Sequence, residues 1–537
     1  MRSGASLVGM QGEWAGVPVG PDVWETCREL IPERSVFAFL AEHRETLFPA
    51  GMFADMYPSS NGRPSYPPQV LSTVVVLQVL NGLSDAEAVQ ELRCDLRWKA
   101  ACGLGLLDGG FDSSLLTYFR RRLQHSRDPH RVFTAVRLVI EATGILRGRH
   151  RRALDSTVFQ DTVATQDTVT QLVSAIRRVA RDVPGGTETV TTRCTGHDYL
   201  AGPGKPKIAW DDEKARNELV DALVTDALQV LAHLPEQNLG EKAANAVGIL
   251  ALVAGQDVEP PEDSDGSDGR WRIARRTAAN RVISTVDPEA RHIHKTTHQR
   301  TDGFKGHLAV EPETGLFTAV ALHPGRGTDH TEGTVALDLL ADETGPLDVF
   351  GDTAYSGHTY RAALNTAGHQ VFCKPAPLKP AVPGGFTLDD FHIDTAAGTV
   401  TCPASHTIPL GDQAGQYLQR KAFFGELCTH CPLRDRCTRN KLGRILTIRP
   451  HHDQQAAARR QAATDPHWQA AYRRWRPPVE RGIAWLVAHG NRRLRYYGTL
   501  KNDTWLHHRA AALNLRRLIN LGLTYTDTTW TIAPATP

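Results

Sequence analysis

The sequence has no long apolar run, little net charge and few cysteines for its length, and each shortage closes off a class of protein. The most apolar stretch, residues 70–80, contains Ser72, Thr73 and Gln78 and is too short to span a bilayer. The opening residues, MRSGASLVGMQGEW, lack the basic and apolar regions of a secretory signal, so a cytoplasmic protein with no membrane partner is the expectation. The formal charge of +2 says little about partners, because it averages unlike regions. Nine cysteines in a cytosolic chain of 537 residues argue against a disulfide framework. Five of them (Cys27, Cys94, Cys102, Cys194, Cys373) are scattered singly and read as small apolar core residues.

What is present is the composition of a soluble globular protein, 41% hydrophobic and 22% charged. The length is too great for one ordinary core, and about two to four structural units are expected. Charge is concentrated rather than spread. Residues 471–517 carry ten arginines and Lys501, opposed only by Glu480 and Asp503. A segment this basic suits phosphate contact, since neutralising a polyanion releases counterions; a solvated helix face is the plainer reading. By contrast EPPEDSDGSD, at 259–268, is acidic, rich in Pro and Gly, and reads as a loop.

The first unit, at 21–128 after a tail over 1–20, reads as helical. PPQVLSTVVVLQVL (67–80) predicts a buried helix, and Ser84 caps a second one over DAEAVQELRCDLRWKAACGL. A third, SLLTYFRRRLQ, ends in Arg120, Arg121 and Arg122. Short helices with a basic last member resemble a helix-turn-helix DNA reader, although any small helical bundle gives the same pattern.

From 147 the pattern becomes mixed. A short apolar run ends on Asp155, and helices are predicted over 169–181 and 213–253 within an insertion at about 160–285. Strands follow at 304–310 and 316–322, joined by EPETG with Gly315 in the turn, then at 347–350 and 369–373. A cysteine-bearing insertion occupies 379–452, helices dominate 453–523, and 526–537 reads as a tail. This order predicts an α/β fold: one mixed sheet, 147–378 with 453–525, interrupted by two insertions.

Asp155 and Asp352 each follow an apolar strand-like run, and acids at the ends of adjacent strands converge above a sheet. Glu480, opening ERGIAWLVAHG, can add a third acid from a helix laid across those strands. Three carboxylates suit Mg²⁺ or Mn²⁺, and two such ions roughly 3.5–4 Å apart serve in-line phosphoryl displacement without a nucleophilic side chain. The chain has 59 acidic residues, and spacing alone does not select this trio. Asp287 and Asp302 compete with it; Asp302 reads as structural or supporting, and Lys305 and His307 read as strand residues that could also line the site.

The remaining cysteines, Cys402, Cys428, Cys431 and Cys437, form C-x25-C-x2-C-x5-C. This pattern suits structural tetrahedral Zn²⁺, with His406 and His430 as substitute ligands; four reduced thiols are the other reading.

From about Tyr57 to Leu523 the chain resembles bacterial insertion-sequence transposases of the DDE type. The resemblance rests on GRPSYPPQVLSTVVVLQVLNGLSDAEAVQELRCDLRWKAACGL with DSSLLTYFRRRL, LDSTVFQ, WDDEKARNELV, the stretch 287–330, VFGDTAYSG and YRRWRPPVERGIAWLVAHGNRRLRYYG. It implies a ribonuclease H-like catalytic domain with a helical DNA-end-binding domain and a zinc-knuckle-like insertion. It implies metal-dependent cutting and transfer of DNA strands by Asp155, Asp352 and Glu480, with terminal inverted repeats and target DNA as partners. A dimer or larger assembly, associated with the nucleoid when bound to DNA, is implied as well. The DNA-contacting set is then Arg120, Arg121, Arg122, Arg476, Arg492, Arg493, Arg495 and Lys501. Arg476 matches the family's Arg before the glutamate. The family's Tyr position is Arg473, with Tyr472 beside it, and its Lys position is Val487. Arg492, Arg493 or Arg495 is the expected substitute for that Lys. A DNA-binding relic without catalysis, or a nuclease of the same fold with another role, are the alternatives.

Overall fold

The computed structural model describes residues 11–12, 19–58, 64–202, 204–235, 238–265, 267–278, 280–294 and 300–533. Most of the expected N-terminal tail, and 534–537 of the C-terminal one, lie outside these. No helix among the described residues is long and apolar enough to cross a membrane.

The N-terminal region is helical, with α1 at Pro68–Asn81, α2 at Asp85–Cys94, α3 at Leu96–Cys102, α4 at Ser114–Gln124 and α5 at Arg131–Thr143. α1 is buried on all sides because nearly every position in it is apolar or small. Ser84 and Glu87 form a reciprocal capping box at the start of α2, which satisfies two otherwise orphaned backbone donors. The single helix expected after Ser84 is two: Asp95 leaves helical geometry and its carboxylate accepts from the Arg97 amide, starting α3.

β1 follows at Arg151–Gln160, then the insertion with α6 at Thr168–Asp182, α7 at Glu213–His233 and α8 at Glu241–Gln256. These helices enclose a separate apolar core of their own. The one helix expected over 213–253 is broken, with Leu234 extended before Pro235 at the end of α7, because proline removes a helical donor and restricts the residue before it.

The chain returns with β2 at Arg291–His294, β3 at Arg300–Glu311, β4 at Leu316–Pro324, β5 at Asp348–Gly351 and β6 at Gln370–Cys373. The sheet runs β4-β3-β1-β5-β6, with β2 also on β3. β3 is antiparallel to both β1 and β4, whereas β1, β5 and β6 are parallel. The β3–β4 turn places Gly315 at φ +76°, the left-handed region that its sequence context demanded. Residues 386–448 form two small sheets around another core.

The chain ends in α9 at His452–Thr464, α10 at Pro466–Trp475, α11 at Pro478–Val487 and α12 at Thr499–Asn520. α12 is buried along most of its length and packs on β4, α1 and α5, joining the N-terminal helices to the sheet. The start of the expected C-terminal tail instead completes a hairpin, Leu523–Thr526 with Thr529–Ile532, whose Trp530 ring lies 5.6 Å from Phe39.

Candidate functional site

Asp155 lies in the middle of β1, not at its end as the sequence suggested, because β3 pairs with β1 through Gln160. The parallel neighbour stops earlier. Ala153 is in register with Phe350, so Asp155 and Asp352 stand at one level where β5 ends, on strands about 4.8 Å apart. β5 can turn there because residue 351 is glycine: a Cβ would lie 2.8 Å from Tyr355 Cβ and 2.9 Å from Cys373 Sγ. Asp352 then accepts the Ala354 amide at 2.8 Å, which fixes the backbone around it.

The third acid arrives on α11, which packs across β1 and β3. Gly482 makes this possible, since a Cβ there would already touch Phe317, Val310 and Leu308. Glu480 sits in the first turn and Arg476 one turn before it. Arg476 Nη2 donates to Asp155 Oδ2 at 2.9 Å while Nη1 donates to Glu480 Oε1. The guanidinium is 13% exposed and the Glu480 side chain 65%, so the cluster has a dry side and a wet side. Burial raises the Asp155 pKa above its ordinary value; Arg476 and the Ser156 amide oppose this, and Asp352 and Glu480 add to it. One arginine therefore holds a carboxylate charge that burial disfavours.

Tyr472 belongs to this neighbourhood. It stacks on Trp468 at 5.1 Å, and its electrostatic neighbours are Arg476, Asp352 and Asp155. Arg473, which holds the position where a tyrosine was expected, is exposed.

The sheet's two-residue alternation separates the other candidates. Asp155 is opposite Leu308, whereas His307 is opposite Ser156 and Lys305 opposite Val158, so both project from the other face. They do not line the acid cluster. Lys305 pairs with Glu332 at 2.6 Å, and His307 is buried with both ring nitrogens unpartnered, burial pushing its pKa down to about 3. Asp302 pairs with His292 and accepts from Thr165. Asp287 accepts the Gly498 amide at 2.9 Å just before α12. These contacts place both competing acids in structural networks.

The basic segment divides. Arg473, Arg474, Arg481, Arg492, Arg493, Arg495 and Lys501 are exposed. Arg509 is wholly buried and donates to the Val79, Leu80, Trp485, Leu486 and Ala488 carbonyls, tying the ends of α1 and α11 together; burial lowers its pKa to about 10, so it stays charged. Arg517 donates to the Thr314 carbonyl at 2.6 Å. Arg492 Nη1 reaches Thr157 Oγ1 at 3.3 Å and the Val158 carbonyl at 3.0 Å, which puts it on the face of Asp155 two residues along β1. Arg495 donates to the Gly82 carbonyl at 2.6 Å. Val487 packs against the core, and this explains the apolar residue there. In α4, Arg121 is exposed and Arg122 lies 4.5 Å over Tyr57. Arg120 is buried, bound by Asp85 and Gln78, so it is not available to phosphate.

Cys402, Cys428, Cys431 and Cys437 line one cavity of about 20 Å³, room for a single small ion, together with His406. His430 is exposed and not among the lining residues. The Arg444 amide donates to Cys428 Sγ at 3.4 Å. Among the described residues, no three of the thiols, and not the three acids together, have ligand atoms all within 4.8 Å of one another; His130, Asp503 and His507 do.

Residues 25–122 match the family described as Transposase domain (DUF772), and residues 401–519 match the Transposase DDE domain. The second match spans the cysteine cavity, Arg476 and Glu480. No curated protein and no solved structure matches the chain.

Proposed function

The chain belongs to the insertion-sequence DDE transposases, and from that premise we propose that it cuts and joins DNA strands with Asp155, Asp352 and Glu480. The observation that carries the reading is that Asp155 and Glu480, more than three hundred residues apart, both bind Arg476, with Asp352 level with Asp155 beside it. The strand order and directions support a ribonuclease H-like catalytic domain. The donors are all carboxylate oxygens, hard ligands that fit Mg²⁺ or Mn²⁺. When bound, a pair of such ions activates a water or 3′-hydroxyl and stabilises the leaving oxygen.

The protein's own residues do the rest. Asp155 and Asp352, fixed by the Ser156 and Ala354 amides, would hold the metal. Glu480 closes it from the solvent side. Arg476 neutralises Asp155 and Glu480, and with a metal bound to these acids it would be available to a phosphate. Arg492 grips the DNA backbone beside Asp155 in place of the lysine that Val487 replaces. Arg121, Arg122, Arg493, Arg495 and Lys501 extend the phosphate-contacting surface, and the N-terminal helices hold the terminal inverted repeats. Pairing two ends calls for a dimer or larger assembly, formed on DNA in the nucleoid. The cysteine cavity gathers four thiols, the donors that a structural Zn²⁺ prefers, and four such ligands would leave no open position.

The test is cleavage of duplex DNA bearing the element's terminal repeat. Wild type is expected to cut it with Mg²⁺ or Mn²⁺, while Asp352→Asn binds it without cutting. Undiminished cleavage by Asp352→Asn would overturn the assignment.

A further inference from the structure

A second cluster of metal-ligating groups lies away from the acids, where the N-terminal helices meet the sheet. His130 immediately precedes α5, and Asp503 and His507 are one turn apart on α12. That i, i+4 spacing puts both side chains on one helix face. His130 Nε2 is 2.9 Å and His507 Nδ1 3.4 Å from the same oxygen, Asp503 Oδ2. His507 Nδ1 also faces the Asp503 carbonyl oxygen at 2.9 Å.

The carboxylate is held for this role. Its other oxygen accepts the Leu322 amide of β4 at 2.8 Å, leaving Oδ2 to the imidazoles. Phe133 abuts His507 edge-on, with ring centroids 5.5 Å apart. The His507 side chain is 10% exposed and that of His130 34%, so the cluster has a fixed floor and one open side.

We propose that His130, Asp503 and His507 bind a divalent transition-metal ion that clasps the N-terminal helices to α12 and β4. Two imidazole nitrogens and one carboxylate oxygen select the zinc class (Zn²⁺, Co²⁺, Ni²⁺) over Mg²⁺, which prefers oxygen throughout. The Leu322 amide supplies the outer hydrogen bond that orients a ligating carboxylate. The two imidazoles stack face to face at 3.5 Å and 3°. An ion lies near the plane of each ring that binds it, so binding requires the half-buried His130 ring to tilt out of the stack. His507, pinned by Phe133, stays in place. The site is independent of the acids and of the cysteines, and it does not depend on the transposase reading.

Co²⁺ titration of the full chain tests this, because thiolate-bound Co²⁺ shows intense near-ultraviolet charge-transfer bands and imidazole- and carboxylate-bound Co²⁺ shows only weak visible ones. Wild type is expected to show both kinds. His130→Ala and Asp503→Asn, the second keeping an oxygen for Leu322, are expected to keep the thiolate bands and lose the others, with affinity lowered at least about tenfold. Zn²⁺ dialysis should agree, each variant retaining about one equivalent less than wild type. Zn²⁺ should also raise the melting temperature of wild type more than that of either variant. Equal Zn²⁺ uptake and unchanged visible bands in both variants would overturn the proposal.

Discussion

The acid cluster and the cysteine cavity, each proposed to hold a cation, are assembled in opposite ways. Asp155 and Arg476 are 321 residues apart in sequence, and only the packing of α11 across β1 brings them together. The cysteines all lie between 402 and 437, and the backbone around them is pinned locally. Arg434 donates to the Cys428 carbonyl at 2.8 Å, Arg444 to that of Cys437 at 3.1 Å, and the Ser405 amide to that of Cys402 at 2.8 Å. At the acids the balancing charge is a single arginine side chain with solvent beside it. A site that must exchange partners during a reaction keeps one movable group. A site that only holds structure encloses its ligands and immobilises their backbone.

The contrast can be broken most decisively by catalysis. Asp155→Asn is expected to lower DNA cleavage by about 10²-fold or more, the scale of losing one preorganised electrostatic group. Cys428→Ser should leave the rate per folded molecule within about twofold, because it acts through stability instead. A catalytic loss in folded Cys428→Ser equal to that of Asp155→Asn would erase the distinction. Next in size, a strong zinc chelator is expected to lower the melting temperature by about 5 °C and to open 386–448 to proteolysis. Omitting Mg²⁺ should do neither.

Arg476→Ala sharpens the comparison through pH. Burial raises the folded Asp155 pKa above 3.8. Between 3.8 and the raised value the native state binds more protons than the unfolded one, so stability falls as pH rises through that window. Removing the guanidinium raises the folded value further and extends the loss to higher pH, which denaturant unfolding across a pH series measures. The smallest effect belongs to Arg492→Ala. It should weaken DNA binding several-fold on all sequences and reduce the salt slope of binding by about 0.9, as for one lost phosphate contact.

Features settled within a few residues were legible in the sequence. Ser84 announced a capped helix, Gly315 a tight turn, and the apolar run before Gly351 and Asp352 a strand ending on an acid. Features settled by pairing were not. Asp155 looked terminal because β3, which extends β1 past it, lies more than a hundred residues away. The face on which His307 sits depends on the β1–β3 register, and one residue of slip would exchange the faces. Arginines looked alike in sequence, yet Arg120 answers Asp85 and Arg509 caps two helices, while Arg492 remains beside the acids. Asp503 and His507 carried a signal in their i, i+4 spacing; His130 carried none.

Mn²⁺ binding followed by electron paramagnetic resonance tests the central claim most directly, because it reads the acid site without DNA or turnover. Wild type and Cys428→Ser are expected to take up Mn²⁺ alike, and Asp155→Asn to lose that binding while remaining folded. Mn²⁺ uptake by folded Asp155→Asn equal to that of wild type would contradict the account.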